Sequence, residues 1–266
     1  MPLDVTLARG AIERIRRADL TAASGRVTRV MPTFLEADGP HAPVGTVCEI
    51  SANDHGPTLA EIVGIDQQRV ALMPYASVHG VMVGDRVQTR MKSSLVAVGE
   101  GFLGRAVNAM GEPIDGGVPV LASDERPLHG TYVSPLNKVG ASHPLDTGIR
   151  AIDALLTLGV GQRVGIFAGS GVGKTTLLNC LAQHVVADVR VICLVGERGR
   201  EAEEFWNKVL TPEQRERSVQ VVSTSDESAI VRARAVYFAL TLAEHFRAQG
   251  KHVLFVLDSM TRLAMA

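Results

Sequence analysis

Cysteine is scarce in this chain, with Cys48, Cys180 and Cys193 the only three in 266 residues. Their wide spacing suits neither a metal-ligand pair nor a disulfide scaffold, so free thiols in a reducing cytoplasm are expected. Aromatic residues make up 4% of the chain, too few for the stacking surfaces that hold single-stranded nucleic acid. An excess of charge of one sign is missing as well. Lys and Arg total 27 against 28 Asp and Glu, a net charge of -1, so no global field draws in nucleic acid or an anionic membrane. No uninterrupted apolar run reaches membrane length, and residues 1–20 carry Arg9, Arg14, Arg16 and Arg17 without the apolar stretch of a signal peptide. The expectation is a soluble chain that binds no nucleic acid. At the other end, Ala264-Met265-Ala266 are apolar helix formers with neither a glycine cap nor a polar tail, which reads as a break inside a domain.

Hydrophobic residues make up 46% of the sequence, enough for one large core and a small second one. Three stretches differ in texture. The first, 1–24, is an N-terminal segment in which Ile12 and Ile15 sit between arginines and predict a short amphipathic helix over 9–19. Over 25–90, short β-branched runs at 26–30, 45–50, 59–65, 69–74 and 85–89 are cut by Gly, Asp, Asn and Pro, a pattern that predicts a small antiparallel barrel. The remainder, 91–266, opens with a Gly- and Pro-rich seam. It then alternates strands predicted at 163–167, 190–195, 219–223 and 253–257 with helices at 174–186, 201–210 and 227–249. Apolar runs buried on both faces and joined by helices predict an α/β domain with a mainly parallel sheet.

The chemistry gathers in three places. Ala168-Gly169-Ser170-Gly171-Val172-Gly173-Lys174-Thr175, between a predicted strand and a predicted helix, has the form of a phosphate-binding loop, with Ala168 where the strict pattern has Gly. Its glycines let successive N–H groups face one anion, and the helix that follows adds the positive end of its dipole. Lys174 would reach the terminal phosphates, and the Thr175 hydroxyl suits Mg²⁺, a hard cation that keeps most of its waters. Thr176 closes the nucleotide-binding set. ATP with Mg²⁺ is the natural occupant.

Hydrolysis needs a water aligned on the γ-phosphate and a carboxylate to orient it. Glu197, in Val195-Gly196-Glu197-Arg198-Gly199-Arg200-Glu201, follows a buried strand and so falls at the same sheet edge as the loop. Arg198 beside it is placed to stabilise phosphate charge. At the tip of Leu254-Phe255-Val256-Leu257-Asp258, Asp258 can hold a water of the Mg²⁺ shell, while Asp258-Ser259 also fits a helix cap. His143, Asp146, Arg150 and Asp153 read as a connecting loop and helix cap without chemistry.

The segment 166–175, the Gly-Glu-Arg-Gly-Arg-Glu of 196–201 and Leu257-Asp258-Ser259-Met260-Thr261-Arg262 together resemble the type III secretion ATPases. These are the flagellar export and injectisome ATPases, relatives of the catalytic subunit of rotary ATP synthases. The resemblance implies an amino-terminal barrel and a RecA-like P-loop core, working as a cytoplasmic bacterial homohexamer at the base of a secretion apparatus. Its partners would be stator and stalk proteins, export chaperones and substrates, with membrane association only through the apparatus. It also implies that ATP hydrolysis releases and unfolds chaperone-bound cargo. Lys174 and Thr175 would hold phosphate and Mg²⁺, Glu197 would be the catalytic carboxylate, Arg198 a phosphate contact and Asp258 the acid of the second nucleotide motif.

The family's further core strands, intersubunit arginine, adenine-packing residues and helical carboxy-terminal domain do not follow Ala266 here, which predicts a nucleotide-binding fragment that turns over poorly by itself. Two readings compete: a proton-translocating ATP synthase subunit, which shares every phosphate contact, and a nucleotide-binding assembly module without turnover, against which Glu197 argues. A Rho-type helicase has a similar core but would need a basic, aromatic surface, and the barrel shows no such cluster. Between flagellum and injectisome the texture leans to the injectisome.

Overall fold

The computed structural model describes residues 23–52, 56–91, 95–130, 134, 136, 140, 143–169 and 171–265. The helix expected over 9–19 and Ser170 lie outside the described residues. The chain divides into two compact units, residues 1–92 and 93–266.

In the first unit, β1 (Ser24–Val30), β2 (Leu35–Ala37), β3 (Val47–Ala52), β4 (Gly56–Asp66), β5 (Arg69–Pro74) and β6 (Arg86–Met91) close into a barrel in the order β1-β2-β5-β4-β3-β6, every pair antiparallel. Alternation along each strand turns Val27, Leu35, Ala37, Cys48, Ile50, Ala60, Ile62, Val70, Leu72 and Val87 inward to a common core. Burial pushes the Cys48 thiol up to about 12. The sequence pattern misses β2, whose three residues are too short to show a period. Where β1 passes the 38–40 turn the two backbones nearly touch: a Cβ on Gly25 would lie 2.4 Å from the Gly39 carbonyl carbon. A valine at Gly25 would have to push that turn away, and thermal denaturation should show the barrel destabilised by about 2–4 kcal/mol.

The second unit runs β7 (Leu95–Val98), β8 (Arg105–Val107), β9 (Asp124–Pro127), β10 (Pro144–Leu145), α1 (Arg150–Leu155), β11 (Leu158–Gly159), α2 (Lys174–His184), β12 (Val189–Glu197) and α3 (Gly199–Glu204). A π-helical turn (Phe205–Val209) follows, then α4 (Pro212–Glu216), β13 (Ser218–Thr224), α5 (Ala229–Ala248), β14 (Val253–Asp258) and α6 (Met260–Ala264). Four strands form an all-parallel sheet in the order β14-β12-β13-β8. Its central strand, β12, is buried along its length as far as Gly196, as a strand covered on both faces must be. Ile192, Leu194 and Val222 pack on one side with Ala182 of α2, Phe205, Trp206 and Leu210. The alternate residues face α5, where the Cys193 thiol donates to the Ala235 carbonyl at 3.7 Å. Burial drives the pKa of that thiol upward. The sheet's outer strand, β8, lies inside the Gly- and Pro-rich seam. It is pinned by a bidentate pair, Arg105 donating to Asp115 at 2.7 and 2.9 Å, which holds the Asp115 carboxyl well below its ordinary range.

Local pattern sets the helix ends. Thr211 and Gln214 form a reciprocal capping box with Pro212 behind it, so α4 starts sharply. The helix expected over 201–210 is instead α3 followed by the π-helical turn.

The strand predicted over 163–167 is not formed. Residues 162–169 run as irregular chain with Phe167 95% exposed. A strand exists only through its neighbours, and among the described residues no strand pairs with this segment: the sheet ends at β14, whose one partner is β12.

Candidate nucleotide-binding site

Parallel pairing brings the carboxyl ends of β12, β13 and β14 to one edge, and the register sets Asp258 opposite Leu194, three residues before Glu197. At that edge α2 begins. Gly173 is its left-handed N-cap at φ 98° and Gly171 also has positive φ, at 78°. A Cβ on Gly169, Gly171 or Gly173 would meet nothing within 4 Å. The glycines are therefore spared a side chain for backbone shape and for an open face, as close approach of an anion requires.

Lys174, the first residue of α2, donates from Nζ to Asp258 Oδ1 at 2.5 Å. That contact brings the lysine and the β14 acid together, with Thr175 the next residue along α2. Thr175, Thr176, Ala168 and Val172 are exposed. Asp258 is 7% exposed and precedes Ser259, the N-cap of α6, whose side chain makes no capping hydrogen bond. The pair thus stands at the helix start, as the capping reading has it, but without the side-chain hydrogen bond of a cap.

Glu197 ends β12 and is paired with Arg262 of α6. Arg262 Nε lies 3.2 Å from Glu197 Oε1, Nη2 donates to Oε2 at 3.4 Å, and Nη1 donates to the Gly196 carbonyl. Gly196, at φ 69°, is needed here, because a Cβ on it would fall 2.6 Å from Arg262 Cδ. Burial, then the facing Glu201 carboxyl, push Glu197 up to about 7, with Asp258 adding to the rise and Arg262 opposing it. Arg198 is exposed as the N-cap of α3. The cation that meets Glu197 is thus Arg262, a residue that the sequence pattern quoted without a role. Its distance of 65 positions from Glu197 hides the pairing, although its place four residues after Asp258, on the first turn beyond the strand tip, is a usable signal. Asp146 and Asp153 make local bonds, Asp146 accepting from the Gly148 amide at 3.0 Å. Asp153 accepts from the Thr147 amide at 3.0 Å and hydroxyl at 2.7 Å, shaping the loop before α1.

An open glycine loop, a helix N-terminus, a lysine and two strand-end acids define a P-loop nucleotide-binding protein. Comparison with known proteins agrees. The beta-barrel domain of the ATP synthase alpha/beta family matches residues 27–90 and that family's nucleotide-binding domain matches 148–266. The chain belongs to this family, and its resemblance to the type III secretion ATPases holds. It is 44% identical to the flagellum-specific ATP synthase of Treponema pallidum, over 95% of this chain and 57% of the relative. It is 41% identical to the type 3 secretion system ATPase of Xanthomonas euvesicatoria, over 91% of this chain and 55% of the relative. The assembled ATPase EscN of the enteropathogenic E. coli type III secretion system superposes with a TM-score of 0.83 at 39% identity, covering 91% of this chain and 58% of EscN. The chain spans about half the length of the curated relatives it matches, 57% and 59% of two of them.

The Glu197 environment predicts a pH dependence. Folded, this carboxyl holds its proton more tightly than in the unfolded chain, so Glu197 works against folding as pH rises from 4.5 to about 7. Chemical denaturation across that window should show a falling stability that Glu197→Gln flattens. Carboxyl-carbon NMR should find Glu197 titrating near pH 7, higher in Arg262→Leu and lower in Glu201→Gln.

Proposed function

We propose that this chain binds Mg-ATP at the phosphate loop and hydrolyses it to energise type III protein secretion. The observation that carries the reading is the Lys174–Asp258 contact at 2.5 Å, with Glu197 on the neighbouring strand end. The N–H groups of 168–173 and the α2 N-terminus would cradle the phosphates, and Lys174 would turn from Asp258 to the terminal phosphate oxygens. Thr175 and, through water, Asp258 are the oxygen donors that would hold Mg²⁺, and they fit it, being few and hard. The metal, when bound, neutralises charge across the terminal phosphates. Glu197 orients the attacking water and accepts its proton, for which a pKa of about 7 is well matched. Arg262, freed from Glu197, and Arg198, exposed beside it, are the cations available to the phosphoryl oxygens.

The wider role follows the relatives. Their names are those of flagellar and type 3 secretion ATPases, and EscN has been solved both assembled and with its central stalk EscO. We assign this protein to a homohexamer at the cytoplasmic base of a bacterial secretion apparatus. There it meets stalk and stator proteins, releases chaperones and unfolds export cargo. Its membrane association runs through the apparatus, and no described helix is long and apolar enough to cross a bilayer.

Lys174→Ala should abolish nucleotide binding, and Glu197→Gln should keep binding and lose turnover, by calorimetry and by phosphate release over a range of protein concentrations. Tight ATP binding by the Lys174→Ala protein would sink the phosphate-loop assignment. Binding without turnover at any concentration would instead identify a nucleotide-binding module that requires more of the secretion ATPase than this chain.

A further inference from the structure

The end of α2 that carries Lys174 is loosely supported by what precedes it, since residues 162–169 pair with no described strand and the loop glycines face open space. Its other end is gripped. Arg190, near the start of β12, donates from Nε to the Ala182 carbonyl and from Nη2 to the Val185 carbonyl, both at 2.9 Å. Gln214 of α4 donates to the Gln183 carbonyl at 2.8 Å, and the Gln183 side chain donates to the Val209 carbonyl at 2.6 Å.

Arg190 is only 6% exposed, and these bonds end on helix carbonyls. A guanidinium buried in this way is costly to desolvate. Burial and the like charge of Arg217 both weaken its hold on its proton. What it gains is the negative end of the α2 dipole and two otherwise unsatisfied C-terminal carbonyls. Arg190 and Glu197 share one strand, about 23 Å apart at strand rise, while α2 runs back alongside for about 16 Å. The strand that presents the hydrolytic carboxylate at one end therefore clamps the phosphate-loop helix at the other.

We propose that Arg190 is a positioning residue for Lys174: by fixing the C-terminal end of α2 to β12, it sets where the ammonium meets Asp258 and the bound phosphate. The proposal rests on the phosphate-loop reading given above. Arg190 touches neither nucleotide nor metal and acts through the helix.

The test compares Mg-ATP affinity and the Lys174 Nζ resonance, from ¹⁵N-lysine NMR of the nucleotide-free chain, in wild type, Arg190→Met and Arg190→Lys. Lys174→Arg serves to assign the signal. A displaced lysine should cost Arg190→Met about tenfold in ATP affinity and shift the Lys174 signal, with Arg190→Lys recovering part of both. A lower melting temperature with affinity and signal unchanged, measured on folded protein well below that temperature, overturns the proposal and leaves Arg190 a purely structural cap. Should Arg190→Met fail to fold, Arg190→Lys, which keeps the charge but cannot reach both carbonyls as the guanidinium fork does, should still shift the same signal, with a loss in affinity of about threefold; no change there overturns the proposal equally. If the wild-type chain binds no Mg-ATP, the nucleotide reading falls, while the Lys174 signal still decides the role of Arg190.

Discussion

Parallel pairing of β12 with β14 is the constraint from which the site follows. It sends both strands to the same edge, so Glu197 and Asp258 arrive together although they stand 61 positions apart in sequence and very different helices lead into their strands. β12 is buried along its length and β14 is apolar up to its last residue, which leaves the strand tips as the places where these acids stand. The α2 N-terminus opens at this edge, because a helix that packs along β12 and hands the chain to that strand's amino-terminal end must begin at the opposite end. Arg262 closes the set: the chain leaving β14 turns at once into α6 and lays its arginine back over Gly196.

The two ion pairs at this edge share an asymmetry. In each, the cation is the more exposed member, 31% against 10% for Lys174 and Asp258 and 42% against 13% for Arg262 and Glu197. Long basic side chains lie at the mouth and short acids beneath them. An incoming polyanion would therefore meet the cations first, with the acids that would repel it lying beneath them.

Much of this was legible in the sequence because it depends on local pattern. Alternation in the β-branched runs found five of the six barrel strands, and continuous apolar runs found β12, β13 and β14. What escaped depends on partners. Leu35–Ala37 becomes a strand only because β1 and β5 flank it, and Arg105–Val107 joins the sheet from a Gly- and Pro-rich stretch because β13 offers an edge. The reverse error has the same cause: residues 163–167 have strand-like composition and no described neighbour to pair with. The role of Arg262 and the grip of Arg190 on α2 are tertiary facts that no window of residues contains. Glycines told more than expected, since Gly25 and Gly196 each mark a contact that a methyl group would block.

The three thiols are not equivalent. Cys48 sits inside the barrel with its pKa driven up to about 12, and Cys193 is sealed between β12 and α5 with its own pushed upward, so neither offers a thiolate near neutral pH. Cys180 alone is partly exposed, and it stands on α2, six residues beyond Lys174. Of the three cysteines in this sequence, Cys180 is thus the one addressable thiol, and a small thiol-directed probe there would read the movements of the helix proposed to carry the nucleotide without any engineered cysteine.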